Sequence, residues 1–512
     1  MIKGNNPSNI RVGSTLSTDE FAGTRFDFML SNPTYGKSWA SEQKYIKDGG
    51  DVIDTRFRVT LNDYWGNPET LDATPRSSDG QLLFLMEMVS KMKPLDNSPH
   101  GSRIASVHNG SSLFTGDAGS GESNIRRHII ENDLLEAIIQ LPNNLFYNTG
   151  ITTYIWLLSN HKAQTRKGKV QLIDASQLYR KLRKNLGNKN CEFAPEHIRD
   201  IVDTYLALAS QERQADDAGI AAQVFDNSDF GYYKVTIERP DRRKAQFSQE
   251  RIASLRFDKA LNQPMQWIYQ QWGDAVYQPG CLAQHEKTIL AWCEDNELGL
   301  NAKNRNKLLN LDTWLKQQNL MQTAQTLMAT IGNNESSDFN HFKIYVDAIL
   351  KAQNIKLSAS DKNAILNAVS WYDEAAEKVI AQTFKLNGDM LEKILQRLDC
   401  SEDKLPDFGV YPTAKKGEYL TYESNTDLRD SESVLLKDNI HRYFLAEVKP
   451  HVEEAWINLD SAKIGYEISF NKYFYRHKPL RSMNAVAKDI IALEKQAEGL
   501  IADILGIDVN LL

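Results

Sequence analysis

The chain is poor in cysteine and has none of the patterns by which cysteine usually builds a site. Its 512 residues include four cysteines, with no Cys-x-x-Cys pair and no histidine at ligand spacing. We therefore expect neither a disulfide framework nor a zinc site, and we predict no bound metal. The four are Cys191, Cys281, Cys293 and Cys400.

Long apolar runs are missing as well. No run approaches the roughly 20 residues that a membrane-spanning helix needs, and the first residues lack the basic-then-apolar pattern of a signal peptide. We predict no membrane segment and a cytoplasmic location. A hydrophobic content of 41% and a charged content of 25% are ordinary for a soluble globular protein, and the length leaves room for about two to four domains.

The chain also lacks an excess of positive charge, since its formal net charge is −7. Phosphate contacts supply most non-specific affinity for DNA, so a protein that binds DNA alone is usually basic. The charge is nevertheless uneven along the sequence, because Asp174 is the only acidic residue among the many basic ones of residues 161–190. This run is either a solvated surface or an edge that follows phosphates. Its basic residues are Lys162, Arg166, Lys167, Lys169, Arg180, Lys181, Arg183, Lys184 and Lys189.

The most informative segment runs from Arg25 to Gly36, where an apolar strand leads directly into Asn-Pro-Thr-Tyr. An exocyclic amine that is to be methylated needs acceptors for its hydrogens, and a base taken out of a duplex needs a ring to stack on. Asn32 and the Pro33 carbonyl meet the first need, and Tyr35 meets the second. The alternative is a plain turn, in which Asn caps and Pro fixes φ.

Four stretches extend this pattern beyond the tetrapeptide: 31–39, 74–85, 101–127 and 141–158. Through them the sequence resembles the modification subunit of type I restriction-modification systems, a family of N6-adenine DNA methyltransferases that use S-adenosylmethionine. The resemblance covers most of residues 1–240 and returns at 408–512. It implies an α/β fold, with a partial S-adenosylmethionine-dependent, Rossmann-like sheet followed by a mainly helical region.

The resemblance also assigns roles to residues. It implies that Asn32, Pro33, Thr34 and Tyr35 are catalytic, and that the segment containing Ser14 and Leu16 contacts the adenine of the cofactor. The loop with Phe146 and Tyr147 would border the target base, although core packing is the alternative for both rings. Lys181, Arg183 and Lys184 follow that region and are the candidate DNA contacts.

Two features depart from the family pattern. Thr34 stands where the family has a second proline, which removes a rigid φ constraint and adds a hydroxyl group. The family also has a glycine-rich cofactor loop well upstream of the tetrapeptide, whereas only 31 residues precede Asn32 and none of them forms that loop. We expect that the main cofactor-binding strands are missing and that this chain alone binds S-adenosylmethionine weakly or not at all.

The family delegates base reading to a separate specificity subunit, which accounts for the acidic net charge. The resemblance thus implies DNA, a specificity subunit, a restriction subunit and a second modification subunit as partners. A heptad stripe on the predicted helix 485–505 fits either its own domain or the specificity subunit. The stripe consists of Val486, Ile490, Leu493, Ala497, Leu500 and Ile504.

We divide the chain into a partial catalytic domain at 1–240, an all-helical domain at 241–405 and a docking region at 406–512. In the first we predict strands at 9–12, 26–30, 103–107, 135–140 and 151–158, a helix at 82–92, and a helix at 124–131 capped by Ser123. In the last we predict a hairpin at 407–430 and a helix at 434–448.

Three alternatives remain open. The glycines of 116–123 are typical of a phosphate loop but lack its Gly-Lys-Ser/Thr ending, so a flexible turn is favoured. The chain could be an inactive scaffold that binds DNA and the specificity subunit. It could also methylate a glutamine side chain or RNA, because such enzymes use a similar tetrapeptide, although the long matches outside it count against this.

Overall fold

The computed structural model describes residues 4, 6–96, 98–213, 219–475 and 482–493. The chain divides into two compact units. Unit 1 comprises residues 1–62, 68–231 and 465–512, and unit 2 comprises 63–67 and 232–464. Each is described by itself below.

The strands of unit 1 are mostly short, and the longer ones are rich in β-branched and aromatic residues. In the described part of the unit they are β1 (Phe28–Ser31), β2 (Lys47–Asp48), β3 (Asp51–Val52), β4 (Arg58–Asn62), β5 (Pro68–Asp72), β6 (Arg103–Asn109), β7 (Leu135–Gln140), β8 (Thr153–Ser159), β9 (Lys169–Asp174), β10 (Arg180–Leu186), β11 (Lys189–Glu192) and β12 (Ala221–Asp226).

Six of these strands form one mixed sheet in the order β1-β6-β8-β7-β9-β12. β1 is parallel to β6, with Leu30 opposite Ala105. β8 runs antiparallel to both β6 and β7, and β7 is parallel to β9. The carboxyl ends of β1, β6, β7 and β9 therefore lie at the same edge of the sheet. The predicted α/β fold class is confirmed.

The helices of unit 1 pack through apolar residues that repeat at helical spacing. The helix predicted at 82–92 is confirmed, and its Leu82, Leu83 and Leu85 are at most 2% exposed. The labelled helices of unit 1 are α1 (Gln43–Ile46), α2 (Gln81–Ser90), α3 (Ser111–Phe114), α4 (Gly121–Glu131) and α5 (Pro195–Ala207); a further short helix spans Phe470–Phe474.

Unit 2 combines helices with three small sheets. Its strands are β13 (Gly231–Glu238), β14 (Arg243–Ala245), β15 (Ser370–Tyr372), β16 (Ile380–Lys385), β17 (Tyr411–Pro412), β18 (Glu418–Tyr422), β19 (Asp430–Leu435) and β20 (Trp456–Tyr466). Its helices are α6 (Gln249–Ser254), α7 (Asn262–Trp272), α8 (Cys281–Asp295), α9 (Ala302–Leu309), α10 (Leu311–Ile331), α11 (Phe339–Ala352), α12 (Ala359–Ala368), α13 (Gly388–Leu398) and α14 (Ile440–Tyr443), which continues as a π-helix at Phe444–Val448.

The units differ from the sequence-based domains with boundaries at 240 and 405. β13 lies between β19 and β20 in one three-stranded sheet. This pairing joins residues before 240 to residues after 405, which no local pattern could indicate. The region predicted to be all-helical also contains β14, β15 and β16, so that prediction is wrong in part.

Several element predictions are corrected. Residues 10–12 form no strand, and Val12 is 93% exposed. β1 is not a buried strand but an edge strand, in which Phe28 and Leu30 are exposed. The cap of α4 is Ser120, whose side chain accepts from the Ser123 amide, rather than Ser123 itself. Residues 430–435 form β19, so the helix predicted at 434–448 begins only at Ile440.

The carboxy-terminal helix is described only in part. Residues 483–493 are helical, and Val486, Ile490 and Leu493 are 41%, 58% and 64% exposed. Ala497, Leu500 and Ile504 lie outside the described residues. The described part of the stripe is therefore exposed, and its role stays a prediction.

Candidate active site

The segment Asn32–Tyr35 follows directly after β1, at the carboxyl edge of the six-stranded sheet. Pro33 is buried, Tyr35 is half-buried, and Asn32 and Thr34 are exposed. The proline anchors the turn, and the polar side chains on either side of it are left open to solvent.

Asn32 and Tyr35 contact each other. The Tyr35 hydroxyl donates a hydrogen bond of 2.5 Å to the Asn32 Oδ1 atom. Burial raises the pKa of the Tyr35 hydroxyl above its ordinary value, so the group stays protonated and remains a donor at neutral pH. The bond fixes both the amide and the ring relative to the end of β1.

Asp79 ties this turn to the neighbouring strand. Its Oδ1 atom accepts from the Gly36 amide at 3.3 Å, one residue after Tyr35. Its Oδ2 atom accepts from Gln81 Nε2 at 2.7 Å and from the Ser111 hydroxyl at 3.0 Å. Gln81 in turn donates to Asn109 Oδ1 at 2.7 Å, at the end of β6. The network holds the turn after β1 against the carboxyl end of β6.

Trp39 also supports the contact between the turn after β1 and the segment that carries Asp79. Trp39 is 3% exposed, and its Nε1 donates to the Arg76 carbonyl at 2.9 Å. Gly80 lies against this ring, because a Cβ atom there would approach Trp39 to 3.2 Å. Segment 36–39 thus packs on segment 76–80, which carries Asp79.

Sequence reasoning missed Asp79, Gln81, Asn109 and Ser111. Asp79 lies in a Ser-Asp-Gly sequence, which by itself indicates only a turn before a helix. A signal was present, since Gln81 is a polar residue at the head of an otherwise apolar helix, and it is 2% exposed. A buried amide must find hydrogen-bond partners, and this one finds them at the candidate site.

The predicted loop after β7 lies at the same edge. Three strand spacings separate β1 from β7, which is about 14 Å. Phe146 is half-buried and packs on a core cluster that includes Ile139 and Ile173, whereas Tyr147 is 64% exposed. Of the two candidate rings, Tyr147 is therefore the one available to a ligand, and Phe146 follows the core-packing alternative.

The β10–β11 hairpin is bound to this loop. The amides of Asn188 and Asn190 donate to the carbonyls of Tyr147 and Asn144, at 2.9 and 3.1 Å. Gly187, with φ of +63°, allows the close approach, since a Cβ atom there would lie 2.5 Å from the Tyr147 carbonyl oxygen. The loop with Tyr147 and the hairpin that carries Lys181 are about 35 residues apart in sequence, and the structure brings these two predicted sites together on one surface.

The basic run divides into two groups. Lys162 and Arg166 are buried, at 5% and 6% exposed. Lys162 pairs with Asp133 at 2.6 Å, and the Arg166 guanidinium stacks 4.0 Å from the centroid of the Tyr205 ring. These two are structural, so neither interpretation of the run, as a solvated surface or as an edge that follows phosphates, holds for them.

The second group lies on the hairpin. Lys181, Arg183 and Lys184 are exposed, while Arg180 pairs with Glu192 at 2.8 Å. Lys189 lies beside the loop, with its Nζ atom 5.8 Å from the centroid of the Tyr147 ring. The hairpin therefore presents positive charge next to an exposed aromatic ring, a combination that suits nucleic acid.

The two residues predicted to contact the cofactor, Ser14 and Leu16, differ in exposure. Leu16 is 4% exposed, and its carbonyl accepts from Arg56 Nη2 at 3.3 Å. Arg56 also pairs with Asp54 and Glu87, at 2.6 and 2.8 Å, and these carboxylates raise its pKa. Ser14 is exposed, so it is the one of the two predicted contacts whose side chain a ligand could reach.

The described residues do not form a complete cradle for S-adenosylmethionine. In that part of the chain, no strand of the six-stranded sheet leads through a Gly-x-Gly turn into a helix. The glycines at 116–121 serve packing, because a Cβ atom at Gly121 would lie 1.7 Å from the Thr74 carbonyl oxygen. The phosphate-loop alternative has no support here.

The described residues contain no group of three or more His, Cys, Asp or Glu side chains placed to hold a metal ion. Their helices include none with the length and hydropathy needed to cross a membrane.

Comparison with known proteins shows which family part of the chain resembles. Residues 1–240 match the family model described as N-6 DNA Methylase. Among curated relatives, the chain is 28% identical over 204 residues to the type I restriction enzyme MjaIX methylase subunit of Methanocaldococcus jannaschii, a match covering 40% of this chain and 32% of the relative. It is 29% identical over 227 residues to the type I restriction enzyme HindI methylase subunit of Haemophilus influenzae, covering 42% and 43%. The resemblance to type I modification subunits is confirmed.

The chain spans less than half the length of these two relatives. Two solved structures are similar to part of this chain. A type I restriction-modification methyltransferase subunit from Streptococcus thermophilus has a TM-score of 0.31 and 23% identity, covering 42% of this chain and 38% of that one. The EcoKI M protein has a TM-score of 0.28 and 16% identity, covering 42% and 43%.

Proposed function

We propose that this chain takes part in methylation of adenine N6 in DNA and that Asn32–Tyr35 holds the target base. One observation carries the proposal, namely the hydrogen bond from Tyr35 to Asn32 at the carboxyl end of β1. It unites an amide acceptor and an aromatic ring within the segment that matches the N-6 DNA Methylase family.

The chemistry needs the amine held by acceptors. Asn32 Oδ1 and the Pro33 carbonyl would accept the two N6 hydrogens, which makes the nitrogen more nucleophilic and stabilises the positive charge that develops on it. A carbonyl oxygen has two lone pairs, so Asn32 can accept from the amine while it still accepts from Tyr35. The Tyr35 ring would stack on the base after it leaves the duplex.

Thr34 is the unusual member of the segment. It is exposed, so its hydroxyl lies in solvent beside the Pro33 carbonyl rather than in the core. We propose that it leaves the acceptor geometry intact, because the buried Pro33 and the Asp79 network hold the turn on both sides.

The hairpin and loop would contact DNA around the target. Lys181, Arg183 and Lys184 would meet phosphates, and Tyr147 would lie nearer the displaced base than Phe146. Phosphate contacts position a protein on DNA without reading sequence, which agrees with a division of labour in which another subunit reads the bases.

The methyl donor would be S-adenosylmethionine, as the family implies. The partners would be DNA, a specificity subunit, a restriction subunit and a second modification subunit. The exposed Val486, Ile490 and Leu493 are the proposed contact with the specificity subunit.

A second candidate function is favoured by the incomplete cofactor site. In it the chain is a scaffold that binds DNA through the hairpin and docks on the specificity subunit without transferring a methyl group. The two candidates differ in product and not in DNA binding.

The test uses a tagged chain purified from its source cells with whatever binds to it. The complex is incubated with radiolabelled S-adenosylmethionine and with DNA from a strain that lacks this gene. Label recovered as N6-methyladenine after digestion supports the methyltransferase. DNA retention without labelled product would instead establish the scaffold.

A further inference from the structure

Three polar atoms inside the six-stranded sheet have no hydrogen-bond partner among the described residues. They are the Ser106 hydroxyl oxygen, the His108 Nε2 atom and the Trp156 Nε1 atom. All three side chains are fully buried, at 0% exposed. Buried polar groups are nearly always hydrogen-bonded, so three unpaired groups on two neighbouring strands require an explanation.

The three side chains lie on the same face of the sheet. Ser106 on β6 is directly opposite Trp156 on β8, and residues that are opposite each other in an antiparallel pair project to the same side. His108 follows Ser106 by two residues along β6, so it shares that face. The rings of His108 and Trp156 meet edge to face, with their centroids 6.0 Å apart. The unpaired atoms therefore belong to one buried cluster.

The tautomer of His108 follows from the contacts of its other ring nitrogen. The Asn109 backbone amide, which can only donate, donates to Gln81 Oε1 at 3.1 Å. His108 Nδ1 lies 3.3 Å from the same oxygen, so it must carry the ring proton in order to donate to it. Burial lowers the pKa of His108 to about 3, so the ring is neutral at physiological pH. The His108 Nε2 atom is then an acceptor that needs a donor.

We propose that Ser106, His108 and Trp156 bind one buried water molecule. The water would accept from Trp156 Nε1 and donate to His108 Nε2 and to the Ser106 hydroxyl oxygen. Three hydrogen bonds are typical of a buried water, and these three groups supply the donor and the two acceptors. The two ring nitrogens do not bond to each other, so a bridging molecule is the means of satisfying both.

The water would act on the candidate active site through His108. By donating to Nε2 it keeps the ring proton on Nδ1, which in turn donates to Gln81 Oε1. In the other tautomer Nδ1 and Gln81 Oε1 would be two acceptors facing each other, and the Gln81 amide would have to turn over. The water thus favours the one tautomer that fits the observed orientation of Gln81.

That orientation of Gln81 reaches the turn after β1. Gln81 Nε2 donates to Asp79 Oδ2 at 2.7 Å, and Asp79 Oδ1 accepts from the Gly36 amide at 3.3 Å, directly after Tyr35. His108 is therefore a positioning residue for this turn. The inference rests on the proposed function, because it concerns the turn that would hold the target base.

The first experiment compares two replacements of His108 in the full chain. His108→Asn has an amide that can donate from a position close to that of Nδ1, whereas His108→Leu fills similar space without a donor. Hydrogen exchange at the Gly36 amide is the measurement. We expect the parental rate in His108→Asn and exchange about threefold to tenfold faster in His108→Leu, the factor for one lost hydrogen bond. A residue that only fills space would make His108→Leu the milder change, and that order would overturn the proposal.

The second experiment concerns the water itself. A crystal structure of the chain should show one ordered water within about 3.2 Å of the three unpaired atoms. Nitrogen NMR of histidine-labelled chain, with the His108 signal assigned by its loss in His108→Asn, should place the ring proton on Nδ1. Trp156→Phe removes the donor to the water and should also speed exchange at Gly36. Trp314→Phe should not; this matched control removes a buried indole of unit 2 that donates to the Leu308 carbonyl.

Three results would contradict the proposal: a ring proton on His108 Nε2, a direct bond between the His108 and Trp156 rings without a water, or parental exchange at Gly36 in Trp156→Phe. The first two are measured on the parent, so they decide the matter even if His108→Leu does not fold. Methylation is scored separately. A parent that shows the water and the Nδ1 proton but forms no N6-methyladenine counts against the proposed function and not against this water site.

Discussion

The Tyr35 hydroxyl donates to the Asn32 amide oxygen over 2.5 Å, which makes the aromatic ring and the acceptor one unit. The sequence places these residues three apart, but it does not show that they bond. Because the bond fixes the amide before any base arrives, less ordering remains to be done on binding. The roles of the hydroxyl and the ring can be separated by substitution.

Tyr35→Phe and Tyr35→Ala should therefore differ. Tyr35→Phe keeps the ring and loses one hydrogen bond, worth about 0.5–1.5 kcal/mol, so N6-methyladenine formation should fall by roughly tenfold or less. Tyr35→Ala also loses base stacking, worth about 1–3 kcal/mol, and should fall much further. The measurement is product formation by the purified complex. Equal losses in the two variants would show that the ring does not stack on the base.

Asp79→Ala should loosen the turn after β1. It removes the side-chain acceptor of the exposed Gly36 amide and one of the two acceptors of Gln81 and Ser111, which keep Asn109 Oδ1, and a lost hydrogen bond costs about 0.5–1.5 kcal/mol. We expect a loss of unfolding free energy in this range together with faster hydrogen exchange at Gly36 and reduced methylation. Asp403→Ala, at an exposed aspartate of unit 2, is the control. Unchanged exchange at Gly36 would remove Asp79 from the site.

Replacing Lys181, Arg183 and Lys184 with alanine should weaken binding to duplex DNA of any sequence. Each lost phosphate contact lowers the slope of log affinity against log salt by about 0.9, so three contacts give a decrease of up to about 2.7. The control replaces Lys303, Lys351 and Lys385, exposed lysines of unit 2. If the control changes the slope equally, the effect is general charge and the hairpin is not a DNA contact.

His108 predicts a dependence of stability on pH. Complete burial lowers its pKa to about 3, whereas in the unfolded chain it is about 6.5. Below pH 6.5 His108 is protonated in the unfolded state, whereas in the folded state it stays neutral until the pH falls to about 3. Stability from neutral His108 is therefore present above pH 6.5 and is lost as the pH falls toward 3, by about 1.4 kcal/mol per pH unit.

The measurement is urea unfolding at pH 7.5 and pH 5.0, at which His108 should account for a loss of about 2 kcal/mol. His108→Asn should lose correspondingly less stability between these two pH values than the parent. His161→Asn, at an exposed histidine, should behave like the parent. A parental pH dependence in His108→Asn would mean that His108 is not buried in its neutral form.

Strong local patterns predicted their elements well. α2, β6, β7 and β8 follow from apolar periodicity and β-branched runs, and the turn at Asn32–Tyr35 follows from Asn-Pro after a strand. The resemblance placed the site at that turn. These features depend on residues that are close in sequence.

Features that depend on distant residues could not be predicted. The hydrogen bond from Gly36 to Asp79 spans 43 residues. The hydrogen bond from the Asn188 amide to the Tyr147 carbonyl joins the predicted target-base loop to the predicted DNA-contact hairpin. The interpretation of the basic run failed at Lys162, because composition cannot show that this buried lysine pairs with Asp133, which lies 29 residues earlier in the sequence. The edge position of β1 was equally hidden, since Phe28 and Leu30 in a strand pattern indicate burial unless the neighbouring strand is known.

The most direct measurement for the proposed function replaces Asn32 with alanine in the source cells and maps N6-methyladenine across the genome by single-molecule sequencing, which needs no knowledge of the recognition site. Because Asn32 is exposed, the variant should fold and assemble like the parent. We predict that all N6-methyladenine lost on deleting the gene is also lost in Asn32→Ala and retained in Asn334→Ala, a control at an exposed asparagine of unit 2. Parental methylation in Asn32→Ala cells would contradict the account.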